Sequence, residues 1–217
     1  MNPGPSKAEP AVDDVKLILQ RCGLQSPPHL TEKIAIYSAL LQKWNRRINL
    51  TSINNPTEVI ITHFAESLFA ARHLEPTDTP VLDIGSGAGF PGLAMKLCRP
   101  EITFYLLEPR KKRAAFLSTV RRELALSEVF VLNKTAEECR ATDFRERPGL
   151  LTQRAVGQVP ALIKCCLPLA RPRARAMLFL TAAKVGDILS QLPQFNWKKP
   201  IPIPWSHQRV IVVGDIN

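Results

Sequence analysis

Ten residues near the middle of the 217-residue chain, Asp83-Ile84-Gly85-Ser86-Gly87-Ala88-Gly89-Phe90-Pro91-Gly92, restrict its fold more than any others. Four of the ten are glycine; a short apolar run, Val81 to Ile84, leads into them, and Pro91 can start a helix behind them. Glycine reaches backbone conformations that side chains hinder, so such a run can turn tightly and bring the main chain close to a ligand at a helix N-terminus. Strand, glycine turn and helix in that order are the first unit of a nucleotide-type site.

The chain beyond Pro80 suits such a unit, because short apolar runs alternate there with amphipathic segments, the pattern of βα units on a mostly parallel sheet. Strands are expected at Val81–Ile84, Thr103–Leu107, Val129–Leu132, Leu150–Gln153, Ala176–Leu180 and Arg209–Val213. Helices fit Gly92–Leu97, Lys111–Leu124, Val159–Leu169 and Val185–Leu192, and the four prolines of Pro193–Pro204 read as an irregular connection. Before Pro80 the period is helical. Val12–Cys22 and Glu32–Trp44 carry apolar stripes, the second with Ile34, Tyr37, Leu40, Leu41 and Trp44. A third helix should start after Asn55, an N-cap followed by Pro56 and Glu58, and bury Ile60, Phe64, Leu68 and Ala71. The expected organisation is a disordered segment over 1–11, a helical N-terminal cap over 12–75 and a Rossmann-like α/β domain over 76–217, its sheet covered by helices on both faces.

Gly87 to Gly92 also satisfy G-x-G-x-x-G, so the glycines alone fit a dinucleotide equally well. Asp83 and Glu108 separate the two ligands. Asp83 ends the first strand, where a carboxylate would oppose a pyrophosphate by a few kcal/mol, roughly, at intermediate dielectric, yet would favour the ammonium and sulfonium of S-adenosylmethionine. Glu108 ends the second strand, where an acid accepts hydrogen bonds from the ribose hydroxyls of an adenosine. The plainer alternatives are a tight turn with Asp83 capping the next helix, and a solvated Glu108.

Lys and Arg outnumber Asp and Glu by 29 to 19, a net charge of +10, which favours a polyanionic partner. The polar start, Met1 to Glu9, lacks the apolar core of a signal peptide, and no apolar run is long enough to span a bilayer, so a soluble cytoplasmic protein without membrane contact is expected. Five cysteines without a C-x-x-C pair, together with four scattered histidines, point to neither a disulfide framework nor a metal site.

Several further stretches carry a family resemblance: Trp44-Asn45 with Ile48-Asn49-Leu50-Thr51, His63-Phe64-Ala65-Glu66-Ser67-Leu68, Asp83 to Gly92, Lys112-Arg113 with Phe116-Leu117, and Arg154-Ala155 after a strand. In this order they make the chain, from about Leu40 onward, similar to the bacterial small-subunit rRNA guanine-N7 methyltransferases, the glucose-inhibited division protein B family. The resemblance implies a class I S-adenosylmethionine-dependent methyltransferase acting on N7 of one guanosine in a conserved loop of 16S rRNA. It also implies that Gly85, Phe90, the Ala136-Glu137 pair and Arg154 contact the cofactor, beside Asp83, Gly87, Gly89 and Glu108. Three positions depart from the family's usual pattern: Glu66 stands where Asp is common, Glu108-Pro109 where Asp-Ser is common, and Val185 follows Lys184 where the family has glycine.

Such a reaction needs no general base, because guanine N7 carries a free in-plane lone pair and no proton. RNA contacts are expected from Lys43, Arg46 and Arg47 in the cap, from Arg110 and Lys111 beyond Glu108, from Lys184, and from the run Arg171, Arg173 and Arg175. His63, beside an apolar stripe, reads either as a satisfied, partly buried histidine or as a substrate contact. The expected partner is 16S rRNA or the small ribosomal subunit, with the protein acting as a monomer. A nicotinamide-dependent oxidoreductase and a non-catalytic RNA-binding protein with a vestigial pocket are the competing readings.

Overall fold

The computed structural model describes residues 10–154 and 157–217. The disorder expected over 1–11 falls almost wholly outside these residues, as does Ala155 of the Arg154-Ala155 pair. The chain opens with α1 (Val12–Arg21) and α2 (Pro28–Ile48). The second helix exceeds its expected span at both ends: Pro27 and Pro28 suit a first turn, and Asn49, left-handed at φ 49°, stops it. The third helix starts as the sequence dictates, Asn55 Oδ1 accepting from the N–H groups of Thr57 and Glu58 at 3.0 and 3.3 Å. It is not uniform, however. α3 (Pro56–Val59) passes into a wider π-helical turn at Ile60–Ala65 before α4 (Glu66–Ala71).

The remaining elements are β1 (Val81–Ile84), α5 (Gly92–Cys98), β2 (Phe104–Leu107), α6 (Lys111–Glu123), β3 (Val129–Leu132), β4 (Leu150–Arg154), α7 (Val159–Cys166), β5 (Arg175–Thr181), α8 (Val185–Ser190), β6 (Phe195–Trp197), β7 (Ile201–Pro202) and β8 (Arg209–Ile216). The sheet runs in the order β3-β2-β1-β4-β5-β8-β6, with β7 also paired to β8. Strands β1 to β5 pair parallel, and β8 lies antiparallel to β5, β6 and β7. The stretch Pro193–Pro204 is therefore not wholly irregular, since it holds β6 and β7. Pro202 is tolerated because β7 is a two-residue edge strand, where a missing N–H leaves no central ladder broken.

Alternate residues of each strand face opposite ways and feed two cores. Val81, Phe104, Leu106, Leu150, Met177 and Ile211 face one core, which they share with Leu19, Ile34 and Tyr37 of the first helices and with Leu93 and Phe116 of α5 and α6. Leu82, Tyr105, Leu151, Ala176, Leu178 and Val212 face the other, closed by Ile163 of α7 and Ile188 of α8. The N-terminal helices are thus packed into the sheet's own core, and this fixes where α2 meets the glycine turn.

Candidate active site

A cavity of about 880 Å³ opens beyond the C-terminal ends of β1, β4 and β5. The glycine turn, Leu50 to Ile53 behind α2, the π-helical turn, and α8 with the segment before it form its walls. In an α/β sheet this is where ligands bind.

The turn needs its glycines. Gly85, Gly87 and Gly89 all have positive φ, at 71°, 55° and 88°. A Cβ on Gly89 would lie 2.1 Å from Tyr37 Oη, and one on Gly92 2.6 Å from Asp83 Oδ2. Gly85 N and Ser86 N donate to Leu107 O at 2.8 and 3.0 Å, so the turn grows directly out of the β1–β2 ladder. From the other side, Tyr37 of α2 donates its hydroxyl to Ala88 O at 2.6 Å. Phe90 stacks on Tyr37 (centroids 5.4 Å apart, planes 7° apart) and on His63 (4.7 Å, 17°).

Two carboxylates stand behind the turn rather than on the cavity wall. Asp83 Oδ2 accepts from Gly92 N at 3.1 Å, while Oδ1 is buried without a hydrogen-bond partner. Burial pushes this carboxyl up to about 7, against smaller lowering by its hydrogen bonds. Asp83 therefore does cap the following helix, with one oxygen left over. Glu108, also buried, accepts from Gly87 N and Arg110 N, each at 2.9 Å. A carboxylate accepts about four hydrogen bonds, so both acids keep capacity for a ligand.

A buried charge cluster closes the opposite side. Arg154 Nη2 lies 2.9 Å from Glu66 Oε2 and donates to Thr62 O at 2.6 Å; Arg209 Nε lies 3.0 Å from Glu66 Oε1, and its Nη2 donates to Thr62 Oγ1 at 3.3 Å. Burial raises the Glu66 carboxyl and the two guanidiniums draw it back; Arg154, buried itself, is lowered to about 10. The wide π-helical turn supplies Thr62 and His63, and its end delivers Glu66. His63 Nε2 is 2.9 Å from Thr51 Oγ1, while Nδ1 is buried and unpartnered. Burial first, then Arg154 and Arg209, depress the imidazole to about 3, so it is neutral at physiological pH.

Of the residues singled out in the sequence, Gly85, Gly87, Phe90, Arg154, His63 and Lys184 line the cavity. Gly89 belongs to the turn but does not line the cavity, and Asp83 and Glu108 lie immediately behind the turn. Ala136 is buried in the core on the other sheet face and Glu137 is exposed beside it; neither reaches the cavity wall. Lys43, Arg46 and Arg47 are exposed on the last turns of α2, and Arg110 and Lys111 at the start of α6. These two groups adjoin, because Arg113 Nη2 donates to Asn49 O at 3.2 Å and Trp44 packs on Phe116 at 5.6 Å. Arg175 is a correction. It is buried, with Nη1 at 2.9 Å from Asp78, 3.0 Å from Glu75, and Nε 3.3 Å from Asp215, so it staples the base of the sheet; Arg171 and Arg173 precede β5 at that same end, away from the cavity. Tyr37, Thr62 and Arg209 were not foreseen as site residues. Each acts across more than one element, and nothing local in the sequence marks it.

Among the described residues, no helix is long and apolar enough to cross a membrane, and no group of three or more His, Cys, Asp or Glu side chains is placed to hold a metal ion.

Comparison with known proteins gives a consistent result. Residues 30–196 match the family model described as rRNA small subunit methyltransferase G. A ribosomal RNA small subunit methyltransferase G from Roseiflexus castenholzii is 40% identical over 210 residues, covering 93% of this chain and 90% of the relative. One from Roseiflexus sp. (strain RS-1) is 36% identical over 203 residues, covering 88% and 85%. Among solved structures, magnesium protoporphyrin IX methyltransferase from Synechocystis PCC 6803 with bound SAM superimposes with a TM-score of 0.62 at 12% identity, over 83% of this chain and 97% of that one. A SAM-dependent methyltransferase from Aquifex aeolicus gives 0.61 at 14% identity, over 78% and 97%. The last two share the fold.

Proposed function

The chain belongs to the rRNA small subunit methyltransferase G family, and we propose on that premise that it transfers a methyl group from S-adenosylmethionine to N7 of a guanine in 16S rRNA. The observation that carries the reading is the glycine turn at the end of β1, held between Tyr37 and the β1–β2 ladder beside a cavity large enough for the cofactor and one base.

The residues present suit this cofactor. Asp83 offers a buried, unpartnered oxygen to its ammonium, and Glu108 offers remaining lone pairs to its ribose. Gly85, Gly87, Gly89 and Phe90 form the cradle, with Arg154 at its far side; the adenine contact that the family resemblance implies for Ala136 and Glu137 falls outside the cavity wall, beyond the end of β3. When bound, S-adenosylmethionine supplies a methyl carbon on a cationic sulfur that departs readily. Because N7 bears a lone pair and no proton, no general base is required and the chain's task is orientation and electrostatics. The neutral His63 suits this role, as it holds Phe90 without withdrawing a proton. A hydride-transfer enzyme built on Gly87 to Gly92, or a vestigial pocket, fits neither the family nor the intact Asp83 and Glu108.

Finer parts of the reading are that residues 12–75 act as a cap on a catalytic body of 76–217, and that the rim of Lys43, Arg46, Arg47, Arg110 and Lys111, with Lys184, holds RNA phosphates. The protein is taken to act as a cytoplasmic monomer on the small subunit or its rRNA. The test is transfer of label from methyl-labelled S-adenosylmethionine to small ribosomal subunits that lack the modification, together with thermal stabilisation by S-adenosylhomocysteine. Label in 16S rRNA is expected; stabilisation by NAD but not by S-adenosylhomocysteine would overturn the reading.

A further inference from the structure

Methylating N7 leaves a positive charge on the guanine, and a carboxylate near the base would oppose it favourably. Two carboxylates line the cavity, Glu66 and Asp187. Glu66 is already engaged by Arg154 and Arg209 at 2.9 and 3.0 Å. Asp187, on α8, is exposed and forms no ion pair among the described residues. Gln191 Nε2 donates to its main-chain oxygen at 3.1 Å and only grazes Oδ1 at 3.5 Å. The Asp187 carboxylate thus keeps nearly all its accepting capacity.

Its place in the fold matters as much. The glycine turn follows β1 and α8 follows β5, with β4 between them. Neighbouring strands are about 4.8 Å apart, so the two walls stand on the order of 10 Å apart at the sheet. The cavity of about 880 Å³ that opens outward between them takes the cofactor on the glycine side and a purine on the α8 side. In guanine, N7 and O6 share one edge, while N1–H and the 2-amino group lie across the ring on another. A base that turns N7 to the glycine wall therefore turns its N1–H and 2-amino donors toward the α8 wall.

We propose that Asp187 selects guanine, its two carboxylate oxygens accepting from N1–H and from the 2-amino group. The proposal rests on the methyltransferase reading above. Adenine would bring an N1 lone pair and a bare C2 to the same carboxylate, an unfavourable meeting. The contact also favours reaction. As the N7 lone pair bonds to the methyl carbon and the carbon–sulfur pair returns to sulfur, positive charge passes to the base and N1–H becomes a stronger donor. Asp187 then interacts more strongly with the transition state than with the ground state, and no proton has to leave.

The experiment uses small subunits reconstituted with rRNA carrying either guanosine or inosine at the methylated position; inosine keeps N7 and N1–H but lacks the 2-amino group. Wild type should lose about tenfold in kcat/KM on inosine, since a bidentate base contact gives discrimination of about fivefold to 150-fold. Asp187→Ala should be slower on guanosine by roughly a hundredfold, mainly in kcat, and should show no further loss on inosine. Asp187→Glu should regain part of both effects. S-adenosylhomocysteine should stabilise all three proteins alike, reporting an intact fold and cofactor lobe independently of turnover. An Asp187→Ala enzyme with wild-type rates, or one that is slower yet still separates guanosine from inosine as wild type does, overturns the proposal. No transfer to guanosine by wild type overturns the methyltransferase reading, and the proposal with it.

Discussion

Replacing Tyr37 with phenylalanine removes a single oxygen from a fully buried ring and leaves its stack on Phe90 in place. That oxygen is the hydroxyl that donates to Ala88 O at 2.6 Å and ties α2 to the glycine turn. Ala88 is buried, so its carbonyl loses this partner with little access to water. An unsatisfied buried acceptor costs about 1–3 kcal/mol. For a chain of 217 residues each kcal/mol moves the melting temperature by about 2–4 °C, so a fall of roughly 2–12 °C is expected. The cofactor should feel the change too. If the released turn must be restored to its bound geometry at about 1–2 kcal/mol, S-adenosylhomocysteine binds roughly fivefold to thirtyfold more weakly. Urea denaturation and thermal melting with and without S-adenosylhomocysteine read both effects, and the gap between wild type and variant should widen with ligand. A Tyr37→Phe protein with unchanged stability and unchanged affinity would refute the argument that the N-terminal helices position the turn.

Three other perturbations follow from the same geometry. Asp83 is pushed up to about 7 from an ordinary value near 3.8, so the folded chain loses stability as pH rises through that interval. Asp83→Asn keeps an acceptor for Gly92 N and removes that loss. It should be more stable than wild type at pH 8 by a few kcal/mol, on the order of 1.4 per pKa unit, yet bind S-adenosylmethionine more weakly; an equally pH-dependent variant would contradict this. His63, depressed to about 3, stays neutral in the fold while the unfolded chain takes up a proton below about 6.5. Wild type should therefore lose about 2 kcal/mol at pH 5 relative to pH 8 that His63→Gln does not lose, and matching urea midpoints across that range in the two proteins would sink the argument. Gly89→Ala places a Cβ 2.1 Å from Tyr37 Oη at φ 88°. A loss of roughly 2–4 kcal/mol is expected in melting experiments, and a variant as stable as wild type would show that the turn is looser than described.

The sheet was largely legible because its strands obey a single rule. Val81 to Ile84 and Val129 to Leu132 have the bounds that their apolar runs imply, and Asn55 with Pro56 marks a helix start by local chemistry alone. β6 and β7 escaped notice because strands of three and two residues carry too little pattern, and the prolines around them argue against a ladder. The π-helical turn leaves no mark either, since Ile60, Phe64 and Leu68 keep a helical stripe through it. In the site, the order of Asp83, glycines and Glu108 was readable because all of it belongs to adjacent βα units. The pairing of Glu66 with Arg154 and Arg209 was not, because it joins three elements distant in sequence whose meeting only the fold decides. Arg175 was misread for the same reason: in sequence it is one of three alternating arginines, whereas its partners Asp78, just before β1, and Asp215, in β8, lie far from it along the chain.

The central claim is tested most directly by identifying the modified atom. Small subunits labelled by the protein from methyl-labelled S-adenosylmethionine would be digested to nucleosides, and the intact 16S rRNA reduced and cleaved at any 7-methylguanosine. The account predicts that all label elutes as 7-methylguanosine and that cleavage falls at one position. Label in any other nucleoside, or on ribose, would contradict it.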